Sequence, residues 1–306
     1  MLRFILLRSL RALLTVFLVM LFVFFCARLT GDPFVVMFPD GITGDELKMF
    51  NEKFGLDQSI PKQLSLYIKN AVRFDFGLSI YTKEPVTALY SRDIAQTFKL
   101  ASCALIVSVA AGFSVGLYAG LRPKSKLSRT LLSVASLGYT IPVFLFAIAL
   151  ILLFSYYMRL LPSQGYGSWR HYIMPVLSLA ALPTTTITRH VRRNVMDVMT
   201  QDYIKTAYAK GIGLRKIITR HVLRNSFLAL VTVLGIVVTD LVGGSIVVET
   251  IFSWPGMGKR IVEAVMYRDF PSLQFGVLCF STAVVIISAA VDLLYVIIDP
   301  RIAANA

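Results

Sequence analysis

The 306-residue sequence has only three cysteines and three histidines, too few for most metal and redox sites. Cys26, Cys103 and Cys279 stand far apart in apolar stretches and form no Cys-x-x-Cys pair. This spacing argues against a disulfide framework and against a zinc or redox motif. The histidines are equally scattered, and no nucleophile stands in a pattern with a base. We therefore expect no metal site, no catalytic residues and no cofactor bound by this chain.

An ATP-binding loop is also missing. The nearest candidate is the run Gly256-Met257-Gly258-Lys259. A P-loop needs a glycine five residues before the one that precedes lysine, and a serine or threonine after the lysine. Ser253 and Arg260 occupy those two places. The chain is therefore predicted not to be an enzyme and not to hydrolyse ATP itself.

Acidic residues are few, 17 against 31 lysines and arginines, which gives a net charge of +14. Such an excess can indicate nucleic-acid binding. However, 56% of the residues are hydrophobic and the mean hydropathy is +0.71, as expected for an integral membrane protein. The first apolar run lacks a small-x-small cleavage site and is interpreted as a retained helix. We predict six transmembrane helices, at 12–27, 100–121, 130–158, 171–188, 226–248 and 270–291.

The placement of charge predicts the orientation of these helices. With the N-terminus inside the cell, the cytoplasmic segments carry 17 basic and three acidic residues, whereas the outer segments carry 14 and 12. This is the positive-inside distribution. We therefore predict an all-α integral membrane protein with both termini in the cytoplasm. Its basic excess would face membrane lipids, and no nucleic acid is expected as a partner.

Two predicted spans contain polar residues. Span 171–188 is the least apolar and carries Thr184, Thr185 and Thr188, whose hydroxyls can line a wet path or bridge helices. Span 226–248 contains Asp240, and an ionisable residue inside a span is a functional candidate. We expect these four residues to be candidates for lining a pathway, with structural bridging by the threonines as the alternative. Gly138 and Pro142 predict a bend in span 130–158.

The segment 200–225 is a long polar interval between two spans. Thr200 is a candidate N-cap, and Tyr203 to Lys210 can form two helical turns. Gly211 suits a left-handed stop and Gly213 a second break, after which a helix can resume. A helix–glycine–helix knob of this kind can fit a partner's cleft. The alternative is a basic segment lying on anionic lipid.

Several motifs resemble the ABC importer permeases. The run Thr206-Ala207-Tyr208-Ala209-Lys210-Gly211, followed by Leu223, is similar to their cytoplasmic coupling loop. Lys205 and Thr206 replace the usual Glu-Ala, and the ending at 221–225 also departs from the general form, both as in the peptide/nickel branch. The stretches 54–58, 75–79, 243–258, 268–271, 291–295 and 299–301 resemble the same branch.

The resemblance implies a type I ABC importer permease fold in a bacterial inner membrane. It divides the chain into a first helix at 1–30, an external region at 31–96, a five-helix transmembrane domain at 97–298 and a tail at 299–306. The coupling loop 200–225 lies within the transmembrane domain. The implied ATPase-coupling residues are Tyr203, Lys205, Thr206, Ala207, Ala209, Lys210 and Gly211. The implied outer-gate residues are Glu249, Trp254, Pro255, Gly256 and Gly258.

The resemblance also implies partners. These are a homologous second permease forming a heterodimer, two cytoplasmic ATPases that use ATP and Mg²⁺, and an external substrate-binding protein. A dipeptide, an oligopeptide, a glutathione-like peptide, nickel and another metal chelate all remain open as substrates. A secondary transporter or channel is the alternative of a different class, weakened by the lack of an obvious inverted repeat.

Overall fold

The computed structural model describes residues 2–29 and 57–298, and its regular structure there is helical apart from one isolated bridge between Leu78 and Pro85. The predicted all-α class is therefore confirmed. The amphipathic stretch predicted at 45–54 lies outside the described residues. The helices are α1 (Leu2–Leu29), α2 (Ile60–Val72), α3 (Val86–Leu121), α4 (Lys126–Thr140), α5 (Val143–Leu150, continued as a π-helix over Ile151–Tyr157), α6 (Arg170–Met199), α7 (Asp202–Ala209), α8 (Leu214–Ile217, continued as a π-helix over Ile218–Val222), α9 (Leu223–Ile251), α10 (Met257–Met266) and α11 (Phe270–Ile298).

The described residues form two compact units. The first contains 2–4, 97–254 and 286–298, and the second contains 5–29, 57–96 and 255–285. The first unit thus holds α4 to α9 together with most of α3. The second unit holds most of α1, all of α2 and α10, and the first parts of α3 and α11.

Within residues 2–29 and 57–298, four helical stretches are long and apolar enough to cross a membrane: Arg8–Leu29, Val86–Leu121, Val233–Ile251 and Phe270–Val291. A fifth span results if Lys126–Thr140 and Val143–Tyr157 are counted together. The predicted span 171–188 lies in the 30-residue α6, which does not reach the same hydropathy. Its prolines, threonines and arginines explain the lower value, because each replaces an apolar side chain.

The bend predicted from Pro142 is present. Helices α4 and α5 meet at 112° across Ile141 and Pro142. Ile141 is extended, with φ −96° and ψ 122°, as the residue before a proline prefers. Pro142 then precedes the first turn of α5, where its missing N–H leaves no intrahelical bond unmade.

Helix α6 is the centre of the first unit and packs against α4, α5 and α9. Helix α3 also approaches α6 closely, through the glycines Gly112, Gly116 and Gly120. A Cβ on Gly116 would lie 2.8 Å from the carbonyl oxygen of Thr188 and 2.9 Å from Cβ of Val191. The other two glycines are equally crowded. Four-residue spacing places all three on one face of α3, so the two backbones approach over three turns.

The core of the second unit is rich in aromatic residues. Phe24 of α1 is fully buried and stacks on Tyr67 of α2, with ring centroids 5.7 Å apart. The guanidinium of Arg28 lies 5.1 Å from the centre of the Phe24 ring and 5.4 Å from that of Phe270. These contacts join α1, α2 and α11. The cation is stabilised there by the faces of the two rings.

Candidate functional site

The knob predicted between two spans is present as α7 and the turn after it. α7 covers Asp202–Ala209, and Gly211 has a φ of +72°, the left-handed conformation expected at a helix stop. The N–H of Gly211 donates to the carbonyl of Tyr208, and the N–H of Ile212 donates to that of Ala207. Gly213 is extended and precedes α8. The predicted helix, stop and second helix are therefore found in order.

The N-cap assignment of Thr200 is wrong. Gln201 holds the extended cap position before α7, whereas Thr200 lies at the C-terminal end of α6. The hydroxyl of Thr200 donates to the carbonyl of Asp197 at 2.8 Å. A threonine hydroxyl can satisfy a carbonyl at a helix end as readily as an N–H at a helix start, and here the carbonyl is the nearer group.

Helix α7 has an inner and an outer face. Ile204 and Ala207 are 1% and 6% exposed and pack against the first unit. The side chains of the other predicted coupling residues point outward or lie at the exposed turn: Tyr203, Lys205, Thr206, Ala209, Lys210 and Gly211. Ala207 thus seats the helix on its own chain. The outward surface combines the aromatic rings of Tyr203 and Tyr208, small side chains and two lysines.

The start of α7 is tied to the base of α9. The Asn225 amide donates to the hydroxyl of Tyr203 at 3.3 Å, and the Tyr203 ring lies 6.0 Å from that of His221. Helical structure continues without a break from Leu214 to Ile251. Two residues also separate α6 from α7 on the other side. The knob is therefore held between the two helices that pack most extensively in this unit.

The threonines predicted in α6 as pathway candidates are buried or half-buried. Thr185 and Thr188 are each 1% exposed, and Thr184 is half-buried. The Thr185 hydroxyl donates to the carbonyl of Ala135 in α4, in addition to a longer contact with its own helix. Thr185 therefore bridges α6 and α4, which is the structural alternative expected for these threonines. Asp240 differs from the threonines because its side chain is exposed on α9.

At the opposite end of α9, the predicted outer-gate residues of the first unit are buried. Glu249 lies in the last turns of α9, and Trp254 follows the helix; neither is exposed to solvent. The backbone N–H of Trp254 donates to the backbone carbonyl of Glu249 at 2.8 Å. The indole ring of Trp254 packs edge-on against the ring of Tyr172, with the centroids 4.5 Å apart. The N–H of Gly165 donates to the carbonyl of Phe252. The loop after α5 is thereby fastened to this turn.

The remaining outer-gate residues begin the helical hairpin of the second unit. Pro255 is half-buried, whereas Gly256 and Gly258 are buried, with Gly256 at the cap of α10. At the end of the first turn of α10, Arg260 forms an ion pair with Asp93 of α3. Asp93 is 4% exposed as a residue. Burial lowers the pKa of Arg260, but the hydrogen bond and charge of Asp93 outweigh it, so the pKa lies above its ordinary value.

A second carboxylate fastens the same hairpin. Asp269, between α10 and α11, accepts hydrogen bonds from the Ser79 hydroxyl and from the N–H of Ile80. The buried Tyr90 hydroxyl donates to the carbonyl of Ser272 at 2.9 Å. The first part of α3 and the segment before it are thus held to the hairpin α10–α11 by three polar links, which we call the outer clamp: Asp93–Arg260, Ser79–Asp269 and Tyr90–Ser272.

The outer clamp leads to a first prediction. Asp93→Ala is expected to destabilise the full-length chain by about 3 kcal/mol, because the Arg260 charge stays half-buried without its partner. Arg260→Ala should have a similar effect. The double variant should lose clearly less than the sum of the two, as measured by thermal unfolding in detergent. Simple addition of the two losses would show that the pair does not couple. Arg92→Ala, at an exposed and longer ion pair, is the matched control.

The clamp was not predicted from the sequence. Ser79 and Asp269 belong to motifs quoted for their family resemblance, yet 190 positions separate them. Neither periodicity nor spacing within one sequence can pair residues so far apart. An acidic residue in a long, mostly apolar helix, such as Asp93 in α3, was the available signal, since such a charge requires a partner when buried.

Comparisons with known proteins agree with this architecture. The family model described as "Binding-protein-dependent transport system inner membrane component" matches residues 112–304, and its N-terminal companion, "Binding-prot-dependent transport system membrane comp, N-term", matches 1–101. The glutathione transport system permease protein GsiC of Escherichia coli (strain K12) is 35% identical over 303 residues, covering 99% of both chains. The proteins of that name from Shigella dysenteriae serotype 1 and Shigella flexneri serotype 5b match equally well.

Among solved structures, a chain of the MetNI methionine ABC transporter in an inward-facing conformation aligns with a TM-score of 0.56. It is 20% identical, and the alignment covers 69% of this chain and 96% of that chain. This likeness shows the fold alone. The family follows from the matches over 1–101 and 112–304 and from the 35% identity to the glutathione permease. The chain belongs to the inner-membrane components of binding-protein-dependent transport systems, and it is a non-catalytic, multi-pass permease subunit of an ABC importer of the peptide/nickel branch.

Proposed function

We propose that this permease forms half of the pathway through which a peptide or glutathione-like solute enters the cell. It pairs with a homologous second permease, receives the solute from an external binding protein, and is driven by two cytoplasmic ATPases that bind ATP and Mg²⁺. The chain crosses the inner membrane six times with both termini in the cytoplasm. The 1–30, 31–96, 97–298 and 299–306 divisions correspond to first helix, external region, transmembrane domain and tail.

The observation that carries this proposal is the mounting of α7. Its inner residues, Ile204 and Ala207, are buried, whereas Tyr203, Thr206 and Ala209 face outward. A helix used only for packing would not leave an aromatic ring and small side chains open on its far side. We assign that outer face, with Lys205, Lys210 and the Gly211 turn, to contact with the ATPases.

The same mounting supplies a mechanism. Movement of an ATPase against α7 is passed to α6 across two residues and to α9 through the Tyr203–Asn225 contact. Because helical structure is continuous from Leu214 to Ile251, displacement at the knob tilts α9 as a unit. ATP binding can drive this change only by its different affinity for the two states. The fit between α7 and its ATPase must therefore differ between the inward- and outward-facing forms.

Asp240 supports the assignment of a second permease. A carboxylate inside a membrane span is expensive to expose to lipid. The Asp240 side chain is nevertheless exposed in the single chain, within the span Val233–Ile251. We assign it to the water-filled pathway at the permease–permease interface. We propose half-buried Thr184 of α6 as a further pathway residue; Thr185 and Thr188, each 1% exposed, would reach the pathway only in another conformation of the transporter.

The outer gate is assigned to the two ends of the loop that follows α9. In the first unit, Glu249 and Trp254 are buried beneath the loop that precedes α6. In the second, Pro255, Gly256 and Gly258 lead into the hairpin that the outer clamp holds. Fixed anchoring of this kind suits a loop that has to return to one closed position after each cycle.

The experiment that tests the function is reconstitution of the complete complex into liposomes. ATP-dependent uptake of labelled glutathione or a labelled peptide, requiring both the ATPases and the binding protein, is the expected result. Uptake by this chain in ATPase-free liposomes would instead identify a secondary transporter or channel. ATP-dependent uptake of nickel or a nickel chelate, with no peptide uptake, would assign the complex to the metal-importing side of the same branch.

A further inference from the structure

The helical stretch that leads into α9 carries an exposed row of cations, with Lys216 in α8, Arg220 in its π-helical continuation and Arg224 in the first turn of α9. Lys216, Arg220 and Arg224 follow one another at four-residue spacing, and all three are exposed. Among the described residues none of them forms an ion pair. The nearby carboxylate Asp202 is already bound to Lys205 at 2.8 Å. We call Lys216, Arg220 and Arg224 the basic row.

The depth of the basic row follows from one ring contact. The rings of Phe113 in α3 and Phe227 in α9 lie 4.9 Å apart. Phe113 stands eight residues before the end of α3 at Leu121, which is about 12 Å of helix. Because the next residue is Arg122, α3 leaves the apolar layer at this end. Phe227 is therefore inside the apolar layer.

Counting back from Phe227 places the basic row across the membrane surface. Arg220 is seven residues before Phe227, about 10 Å of helix, and lies near the level at which α3 ends. Lys216 lies beyond that level, and Arg224, about 4.5 Å from Phe227, lies below it, where a long arginine side chain can extend to the surface. Tyr118, whose ring lies 5.8 Å from the guanidinium carbon of Arg122, marks the same level. Aromatic rings paired with arginine are typical of the interface between headgroups and acyl chains.

A cleft at the Lys216 end of the row offers two cationic side chains and a hydroxyl to a phosphate group. It is open, has a volume of about 330 Å³ and is lined by Gly213, Arg215, Lys216 and Thr219. Phe227, 54% exposed, continues from the row toward the apolar layer. A phosphate would meet the cations while an attached acyl chain covers the ring. A soluble acidic surface could satisfy the cations but not the exposed apolar ring beneath them.

We propose that the basic row and its cleft bind the headgroup of an anionic phospholipid. The site lies immediately after the α7 knob, so a bound lipid holds the base of α9 at the membrane surface as a pivot about which α9 tilts when α7 moves. The placement of the basic row in the cytoplasmic leaflet rests on the membrane orientation in the proposed function. The binding of an anionic headgroup by these cations is independent of that orientation.

The test uses the purified full-length chain, without ATPases, exchanged into micelles that contain equal amounts of dioleoyl phosphatidylglycerol and dioleoyl phosphatidylcholine. Retained lipid is counted by native mass spectrometry. The wild type should retain phosphatidylglycerol in preference. Joint substitution of Lys216→Gln, Arg220→Gln and Arg224→Gln should reduce that preference by about tenfold or more, since each cation near a charged surface contributes about fivefold.

Two further variants keep the result interpretable. The control variant combines Lys62→Gln, Lys69→Gln and Arg73→Gln. It removes the same number of positive charges from exposed positions of α2 and the residue that follows it, and should leave the lipid preference unchanged. The second variant exchanges lysine and arginine within the row: Lys216→Arg, Arg220→Lys and Arg224→Lys. Its charge is that of the wild type, so it should retain the preference for phosphatidylglycerol. Loss of the preference in this variant too would point to misfolding rather than to loss of charge. If the glutamine variant retains phosphatidylglycerol as the wild type does, the proposal is wrong.

Two other outcomes would also overturn the lipid assignment. Displacement of the lipid by millimolar inorganic phosphate would show a free-phosphate site. Loss of ATPase co-purification by the glutamine variant, with its lipid preference intact, would assign the row to the ATPase. Failure of the proposed function is distinguishable, because a variant of the α7 turn that loses uptake should retain phosphatidylglycerol normally.

Discussion

The Gly211→Asp variant is expected to insert into the membrane and assemble, yet to lose substrate uptake by about 5- to 150-fold, the range of ordinary coupling free energies. Gly211 holds φ at +72°, which favours glycine. A carboxylate at this position also faces the negative end of α7. The space around a Cβ is open, so the effect arises from backbone conformation and charge rather than from a clash.

Uptake and ATPase activity of the reconstituted complex are the measurements. ATPase activity should become insensitive to the loaded binding protein, because the ATPases no longer follow the state of the pathway. Gly211→Asn separates the two causes, since asparagine tolerates positive φ and carries no charge. It should retain most of the uptake. Gly213→Ala, at φ −62° with open space, is the matched control and should be close to wild type. Normal uptake by Gly211→Asp would remove the argument that α7 couples transport.

The Gly116→Leu variant is expected to destabilise the chain by about 3 kcal/mol and to lower its abundance in the membrane, because overpacking a close contact forces the helices apart. A Cβ at this position would already lie 2.8 Å from the Thr188 carbonyl oxygen and 2.9 Å from Cβ of Val191. Backbone on one side and a β-branched side chain on the other leave little room for adjustment. Separation of α3 from α6 would also disturb the helix that leads into α7.

Thermal unfolding of the purified full-length chain in detergent measures this effect. Ser114→Leu adds a leucine to an exposed position of the same helix and should unfold within about 0.5 kcal/mol of the wild type. Gly116→Ala should fall between the two. Equal stability of Gly116→Leu and Ser114→Leu would show that the close approach of α3 and α6 contributes nothing to the fold.

Local features of the structure could be predicted from the sequence. Gly211 and Pro142 restrict or permit backbone conformation by themselves, so the end of α7 and the bend between α4 and α5 follow from the residue type. Long apolar runs likewise indicate membrane-spanning helices in the described residues. Thr200 was misassigned because its hydroxyl can cap either end of a helix, and the competing carbonyl of Asp197 is a feature of the folded chain.

Long-range features could not be predicted in this way. The glycines of α3 gave no sign that α6 was the helix they contact, and Ala207 was expected on the docking face although it is buried against its own chain. A small side chain suits a close contact on either side of a helix, and only the fold decides which. The Asp93–Arg260 ion pair was missed for the same reason: a buried charge requires a partner, but the sequence does not show which residue that partner is.

The central claim is that the outer face of α7 touches the ATPases. The most direct measurement places a photo-activated cross-linking amino acid at Ala209 in the complete reconstituted complex, with Lys62 on α2 as the control position. We expect cross-links from position 209 to the ATPase subunits, with a yield that changes when ATP is bound, and none from position 62. Cross-links from position 209 to lipid alone, or a yield to the ATPases no higher than that from position 62, would contradict the account.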